Sequence, residues 1–592
     1  MSLSVALNSA LSSLLTIEQQ MAVASNNIAN ASTSGYTEES VSTEATTSAG
    51  VGTGVTATAI TNTVNQYLLR DILGANTASS AAATANDYYS QLETALGGLS
   101  GGTTAATESS TDSDLATLLD SLETGLSSLA GTPDSTSLQS TVVGELDDVA
   151  SSLRSTSSSI QSQRSDADSQ IASTVTDVNT DLNKIQSLNT AIQEAKSAGE
   201  STANLEDERN TALQGLSGDI DITSFTDGNG NVQVYTGSGT ALLDGTNTVH
   251  SLSHSAASSM SSGTTYPSGG ITGIYVDGTD ITTTIKSGTL KSLIDQRDTV
   301  LPAVQSELDG LAGTLATTMN AITNQGTANP PPNSLTGTTD VASGDAVTVA
   351  SGTTIRVVLT DASGNTTATK DIDISGATTV AQIAADLQSQ AGVSATVVNG
   401  KLVLSNSTSS TGGIAISTLS GSVGGTDLSS YFGLNDVLTG GSSASTIAVN
   451  PALLATPSDL PTGSLESTQT VGQAAAGASD ATIATDLETA LTASQNFSAA
   501  GDLGAGSSTL AGYAASIITD VASKSATASA NATATSTTLS TLQSDFSSES
   551  GVNTDDETAK LQTYETAYAA AAEIVSAVKT MFDALMTAVQ ST

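Results

Sequence analysis

Two heptad stripes, one near each extreme of the chain, constrain what these 592 residues can fold into more than anything between them. Near the start, Leu3, Leu7, Ala10, Leu14, Ile17, Met21, Ala24 and Ile28 alternate spacings of four and three. Near the end, Leu561, Tyr564, Tyr568, Ala571, Val575, Val578, Phe582, Leu585 and Val589 alternate three and four. Residues so spaced fall on one face of an α-helix, the a/d seam of a coiled coil. An isolated helix of this length is marginal in water because nucleation is costly, whereas a large apolar side chain buried against a partner returns roughly 1.5–3 kcal/mol. Either stripe alone could rest on its own globular domain. Two at opposite extremes point to pairing at one end of the molecule, with equivalent helices of further copies completing the packing, and to ends that become rigid on association.

The first stripe stops abruptly in SNNIANASTSGY, Ser25 to Tyr36. Asn26, Asn27 and Asn30 hydrogen-bond locally and tolerate left-handed backbone, and Gly35 permits a turn that a Cβ resists. Tyr36 is then expected to anchor the segment that follows.

Composition narrows the functional classes. Acidic residues number 58 against 15 basic ones, a net charge of -43. Phosphate binding needs clustered positive charge, so neither nucleic acid nor an anionic membrane surface is an expected partner. With no cysteine, disulfides, thiol nucleophiles and thiolate zinc sites are excluded. Trp is absent and aromatics make up only 3%, a composition of small side chains and thin cores. The apolar stretch Ala569 to Val589 is interrupted by Glu573, Lys579 and Asp583, so membrane insertion is not expected. The first basic residue is Arg70, so a secretory n-region is missing and export would proceed without a cleaved signal peptide.

Between the ends, periodicity predicts a multidomain α+β chain. Residues 37–66 read as an extended arm, and helices are predicted from Tyr67, over Leu138 to Ile160, over Ile171 to Ile192, and over 289–325. A Gly/Ser/Thr loop is expected at 97–113. Ile220, Ile222, Val232 and Val234 alternate around DGNGN, a hairpin signature. After Pro330–Pro332, strand alternation, one short helix and a second hairpin make residues 334–440 a β-rich outer insert. The helical pattern is expected to resume from about residue 495 and to break at 547–551. The expected domains are thus 1–36 with 552–592, a terminal coiled-coil core; 37–333 with 441–551, a rod-like helical domain with β-hairpin elements; and the insert 334–440.

Catalytic and metal chemistry finds little support. Asp227-Gly-Asn229-Gly-Asn231 begins like a calcium loop, but its sixth position is Val232 and its twelfth is Ser238. His250 and His254 lack an HExxH context and read as solvated loop residues. Asp555 and Asp556 read as charges at a helix start, capped by Thr554 or Asp555. Catalytic, cofactor and metal sites are all expected to be absent.

SNNIANASTSGYT resembles the N-terminal signature of the bacterial flagellar axial proteins, the rod, hook and hook-associated family. Gly35-Tyr36-Thr37 is more similar to the hook-associated members than to the hook protein, where Gly-Phe is usual. Ser550 to Leu585, Asn204 to Gly245, Ser287 to Thr327 and Asp427 to Leu438 are similar to the same members, whereas residues 100–135 and 440–545 align with nothing. The resemblance implies a non-enzymatic, extracellular part of the flagellum at the hook-filament junction. Such a part would be exported by the type III route and would polymerise through the two stripes, with Asn26, Asn27, Asn30, Gly35 and Tyr36 fixing where the inner helix turns outward. Its implied partners are further copies of itself, the hook protein, a second junction protein and an export chaperone holding the C-terminal helix. A hook or distal rod protein is the near alternative, and an adhesin acting through the insert is the distant one.

Overall fold

The computed structural model describes residues 3–33, 35–48, 50–97, 114–466 and 468–590. Helix α1 (Leu3–Asn30) is followed by the antiparallel pair β1 (Glu39–Ser48) and β2 (Val51–Asn62). Helices α2 (Gln66–Ala95), α3 (Leu115–Gly131), α4 (Thr136–Ala198) and α5 (Ala203–Asp219) come next, then the hairpin of β3 (Ile222–Thr226) and β4 (Val232–Thr236). The chain ends in two long helices, Leu510–Ser550 and Thr554–Gln590, and is a mixed α+β protein.

Its residues group into two units. The first gathers Met1–Tyr88, Ser165–Asp298 and Ala526–Thr592. Here the segment read as an extended arm is a regular hairpin laid on α1. Its strands are rich in Thr, Val and Ala, and register shifts at Ser42/Thr43 and Thr46/Thr47 bend it. The heptad positions Ile171, Val175, Val178, Leu182, Ile185 and Ile192 of α4 are all buried, as their spacing requires. Where periodicity suggested two helices, α4 is one helix of 63 residues. Its polar middle contains no Gly or Pro, and the buried carboxylate there is well partnered. Asp168 accepts from Arg297 Nη1 (2.6 Å), His254 Nε2 (3.1 Å) and the Ala257 amide (2.7 Å).

The second unit gathers Tyr89–Arg164 and Thr299–Ser525. Asp114 caps α3 by accepting from the Thr117 amide (2.8 Å), and Leu115, Leu119, Leu122, Leu126 and Leu129 form its buried face. The expected loop at 97–113 lies outside the described residues except for Gly97. In the insert, strand Thr354–Thr360 is flanked antiparallel by Thr366–Asp373 and Ile414–Ser420. A second sheet joins Val393–Val398, Lys401–Asn406 and Ser334–Thr336. Ile355, Val357, Leu359, Ile383, Leu404 and Phe432 lie at the centre of one apolar core. Val358 and Ala415, on the sheet's other face, are covered by Ala475 and Leu465. Residues past 440 therefore return to complete this sheet, and the Gln473 carbonyl accepts from the Thr366 amide (2.7 Å). The predicted resumption of helix at 495 is corrected: Gln495–Phe497 and Gly506–Ser508 pair as short strands, and helix begins only at Leu510. Gly501, at φ 55°, supplies the turn that delays it.

Candidate functional site

In the first unit the C-terminal helix Thr554–Gln590 packs along α1. Asn27, near the end of α1, bonds Glu557, near the start of its partner, so the two helices run antiparallel. Their lengths of 28 and 37 residues correspond to about 42 and 55 Å. With Asn27 opposite Glu557, Leu3 falls opposite about Met581, and the last turns of the longer helix extend beyond α1.

That geometry sorts the two stripes. Ala10 and Ala24 are buried, while Leu3, Leu7, Leu14, Ile17, Met21 and Ile28 are half-buried. On the C-terminal helix Ala571 and Val578 are buried, and Leu561, Tyr564 and Val575 are half-buried. Tyr568, Phe582, Leu585 and Val589 are exposed, by 43% to 65%. Exposed large apolar groups absent from the sequence prediction join them: Met581 and Met586 on the overhang, Ile574, and Leu11 and Leu15 on α1. Leu, Met, Phe and Val facing water at this density form an exposed apolar surface.

At the other end of the pair lies a polar joint centred on Asn27, which is fully buried. Its Nδ2 donates to the Glu39 carbonyl (2.9 Å) and to Glu557 Oε2 (3.1 Å). Its Oδ1 accepts from the Tyr36 hydroxyl (2.8 Å) and the Glu39 amide (3.0 Å). One side-chain amide thus ties α1, the turn, β1 and the C-terminal helix together, using both donors and both lone pairs. Asn30 Nδ2 donates to the Asn26 carbonyl (3.1 Å) and side-chain oxygen (3.0 Å), and its own carbonyl accepts from the Thr33 amide (2.8 Å). Gly35 turns at φ +80°, where a Cβ would also stand 2.6 Å from Thr211 Oγ1. Beyond the turn, Asp207 of α5 accepts from the Thr37 amide (2.8 Å), the Thr37 hydroxyl (2.7 Å) and Asn62 Nδ2 (2.9 Å). Lys560 bridges Glu38 (2.6 Å) and Glu557 (2.5 Å), and the Ser550 carbonyl accepts from the Glu38 amide (2.8 Å).

Charge in the joint follows burial. Burial raises the Glu39 carboxyl above its ordinary value, against an opposing hydrogen bond from Asn26. Burial also raises Asp207, although Thr37 and Asn62 donate to it. The Tyr36 hydroxyl is pushed up by burial and then by the carboxylates of Glu39, Asp207 and Glu557, so it stays a donor to Asn27. Burial works against the charge of Lys560, but its bonds to Glu38 and Glu557 prevail and keep it protonated.

The motif residues Asn26, Asn27, Asn30, Gly35 and Tyr36 therefore come together at one turn. Sequence reasoning missed Glu39, Asp207, Glu557 and Lys560. Asp207, Glu557 and Lys560 lie within the segments that carry the family resemblance, but nothing local singles out any of the four. Three further expectations are corrected. The cap of the last helix is Asn553, whose Oδ1 accepts from the Asp555 amide (3.1 Å), because Thr554 is already helical. His254 is not a solvated loop residue; its side chain is fully buried against Asp168. His250 is partly buried, with Asp277 at 2.5 Å and Asp244 at 3.5 Å, and its bond to Asp277 raises its pKa. Asp227 spends Oδ1 on the Asn229 and Asn231 amides (both 2.9 Å), which makes it a turn-forming residue. Among the described residues, no three or more His, Cys, Asp or Glu gather as a metal site, and no helix is long and apolar enough to cross a membrane.

A model of the helical domain of flagellar hook-associated protein FlgK matches residues 104–338. A flagella basal body rod protein model matches residues 7–37, and a model of the flagellar basal body rod FlgEFG protein C-terminal region matches 543–588. The Asn-rich turn lies in the second of these matches and most of the overhanging helix in the third. Flagellar hook-associated protein 1 of Bacillus subtilis (strain 168) is 26% identical over 224 residues, 36% of this chain and 42% of that protein. The chain thus matches about two fifths of the length of that relative. The flagellar hook junction protein FlgK from Burkholderia pseudomallei, as a solved structure, overlays 80% of this chain and 99% of its own at a TM-score of 0.49 and 16% identity. Flagellar axial models thus match the chain at its start, through its helical middle and at its end.

Proposed function

We propose that this chain is a structural component of the bacterial flagellum, an adaptor at the hook-filament junction that polymerises through its terminal helices. The observation that carries this reading is the half-completed packing of those helices: they pair with each other yet leave Phe582, Leu585, Val589, Leu11 and Leu15 facing water. Coiled-coil seams of this kind are completed by equivalent helices of neighbouring subunits, and heterologous contacts that need not close build a tubular lattice.

Residues 1–36 with 552–592 form the assembly segment in this reading, 37–333 with 441–551 the helical body and 334–440 the outer insert. The assembly surface comprises Leu3, Leu7, Ala10, Leu14, Ile17, Met21, Ala24 and Ile28 with Leu561, Tyr564, Tyr568, Ala571, Val575, Val578, Phe582, Leu585 and Val589. The joint of Asn26, Asn27, Asn30, Gly35 and Tyr36 sets the angle at which α1 leaves the body. The role is mechanical rather than catalytic. Its partners are further copies, the hook protein on one side and the next junction protein on the other, with an export chaperone covering the C-terminal overhang before assembly. Its place is outside the cell, reached by type III export. Deleting residues 1–30 in the producing bacterium tests this. The expected outcome is a folded, expressed chain in non-motile cells that lack attached filaments; unchanged motility overturns the proposal.

A further inference from the structure

The chain carries only 15 basic residues against 58 acidic ones, so a place where several of them gather is uncommon in it. Among the described residues most stand within ion-pair distance of a carboxylate, as Lys560, Lys524, Arg356 and Arg297 do. Of those that do not, Lys196 and Arg209 line a single cleft of about 530 Å³ in the first unit, between α2, the end of α4, α5 and the β3–β4 hairpin. Arg70 lies on the rim, with only a loose 3.8 Å contact to Asp71 in which both side chains are well exposed.

The cleft is built rather than incidental. Arg209 is buried, its Nη1 donating to the Gly230 carbonyl (2.8 Å) and to Asn189 Oδ1 (3.1 Å), while its Nε has no partner. Lys196 is exposed and reaches the same turn: a Cβ on Gly230 would stand 2.3 Å from its Nζ. Phe225, exposed by 58% and edge-on to Tyr235, adds an apolar wall. Two exposed cations, a buried guanidinium behind them and an exposed ring give the cleft the chemistry that suits an acidic peptide carrying one apolar side chain.

We propose that this cleft docks a carboxylate-bearing segment of a second copy of the chain, a contact that rests on the polymerising role proposed above. Charge selects the occupant. In a lattice of subunits each carrying -43, nearly every facing surface is acidic, and a neighbour's carboxylate is best placed where cations are not already paired. A nucleic acid would meet only three cations with Glu206 among them, too few to release many counterions against that net charge.

The test is zero-length carbodiimide cross-linking of purified hook-filament structures, which joins a lysine amine to a carboxylate in direct contact. The expected result is a covalent dimer on a denaturing gel whose cross-linked peptide joins Lys196 to an Asp or Glu. It should be lost in a Lys196→Glu, Arg70→Glu double variant that is exported normally. If the chain is present in these structures but Lys196 joins only its own chain, a different protein or nothing, the docking proposal is overturned and the polymerising role stands. If the chain is absent from them, both are overturned.

Discussion

The insert and the terminal helix pair use apolar residues in opposite ways. In the insert, Ile355, Val357, Leu359, Ile383, Leu404 and Phe432 meet one another and exclude water almost completely. On the C-terminal helix only Ala571 and Val578 among the stripe residues are buried, and the bulkiest side chains near its end are exposed. One region finishes its packing within a single chain; the other is fastened at one end by a polar joint and left open along its length. A complete core contributes to stability, whereas an apolar face left in water is available for association.

The sharpest way to break this contrast is to truncate a ring in each region. Phe432→Ala, at the insert core, is expected to cost about 3–5 kcal/mol in urea unfolding of the full chain. Phe582→Ala is expected to stay within about 0.5 kcal/mol in the same measurement while impairing filament attachment in cells. Equal losses of stability would erase the distinction. Asn27→Leu addresses the joint. It strands the Glu39 amide and carbonyl and the Tyr36 hydroxyl in a buried place, and a loss of about 1–3 kcal/mol is expected by thermal unfolding. Gly35→Ala is expected to cost about 1–2 kcal/mol, from its left-handed backbone and from the Thr211 hydroxyl that a methyl would meet; Gly35→Asn should recover part of that, because Asn tolerates this backbone.

The smallest effect sharpens the comparison through pH. Glu39 and Asp207 have raised pKa values in the folded joint, so their stabilising contribution is full below the unfolded carboxylate range, about 4, and is lost as pH rises through their folded values. Asp371 in the insert is lowered by its hydrogen bond with Arg356, so its contribution is present above about 4 and lost as pH falls. Asp436, raised by burial, works against that trend in the insert. Hydrogen-exchange protection followed from pH 8 to pH 5 is therefore expected to rise around Asn27 and to change little in strand Thr354–Thr360. A fall around Asn27 would contradict the assigned burial of Glu39 and Asp207.

Much of this was legible from residues alone. The heptad spacing of Ile171 to Ile185 named a buried face that the structure repeats position by position. DGNGN marked the turn between β3 and β4, where the Asp227 side chain closes the loop on its own backbone amides. Less visible was the β1–β2 hairpin, whose strands are built mostly of Thr, Ser, Ala and Gly and so present few large apolar residues to alternate. The burial of His254 was invisible too, since Asp168, which holds it, is 86 residues away.

Periodicity and turn chemistry are local, so the order of residues by itself determined that both extremes are amphipathic helices, that the first ends in an Asn-rich turn, and that a β-rich segment follows the prolines. What each stripe would touch could be decided only by tertiary structure. Asn27 and Glu557 are separated by 530 residues, and their contact sets the antiparallel alignment that buries Ala571 and Val578 and carries Phe582, Leu585 and Val589 past the end of α1. A pattern of side chains states which face of a helix is apolar; only the folded chain states how much of that face is already occupied.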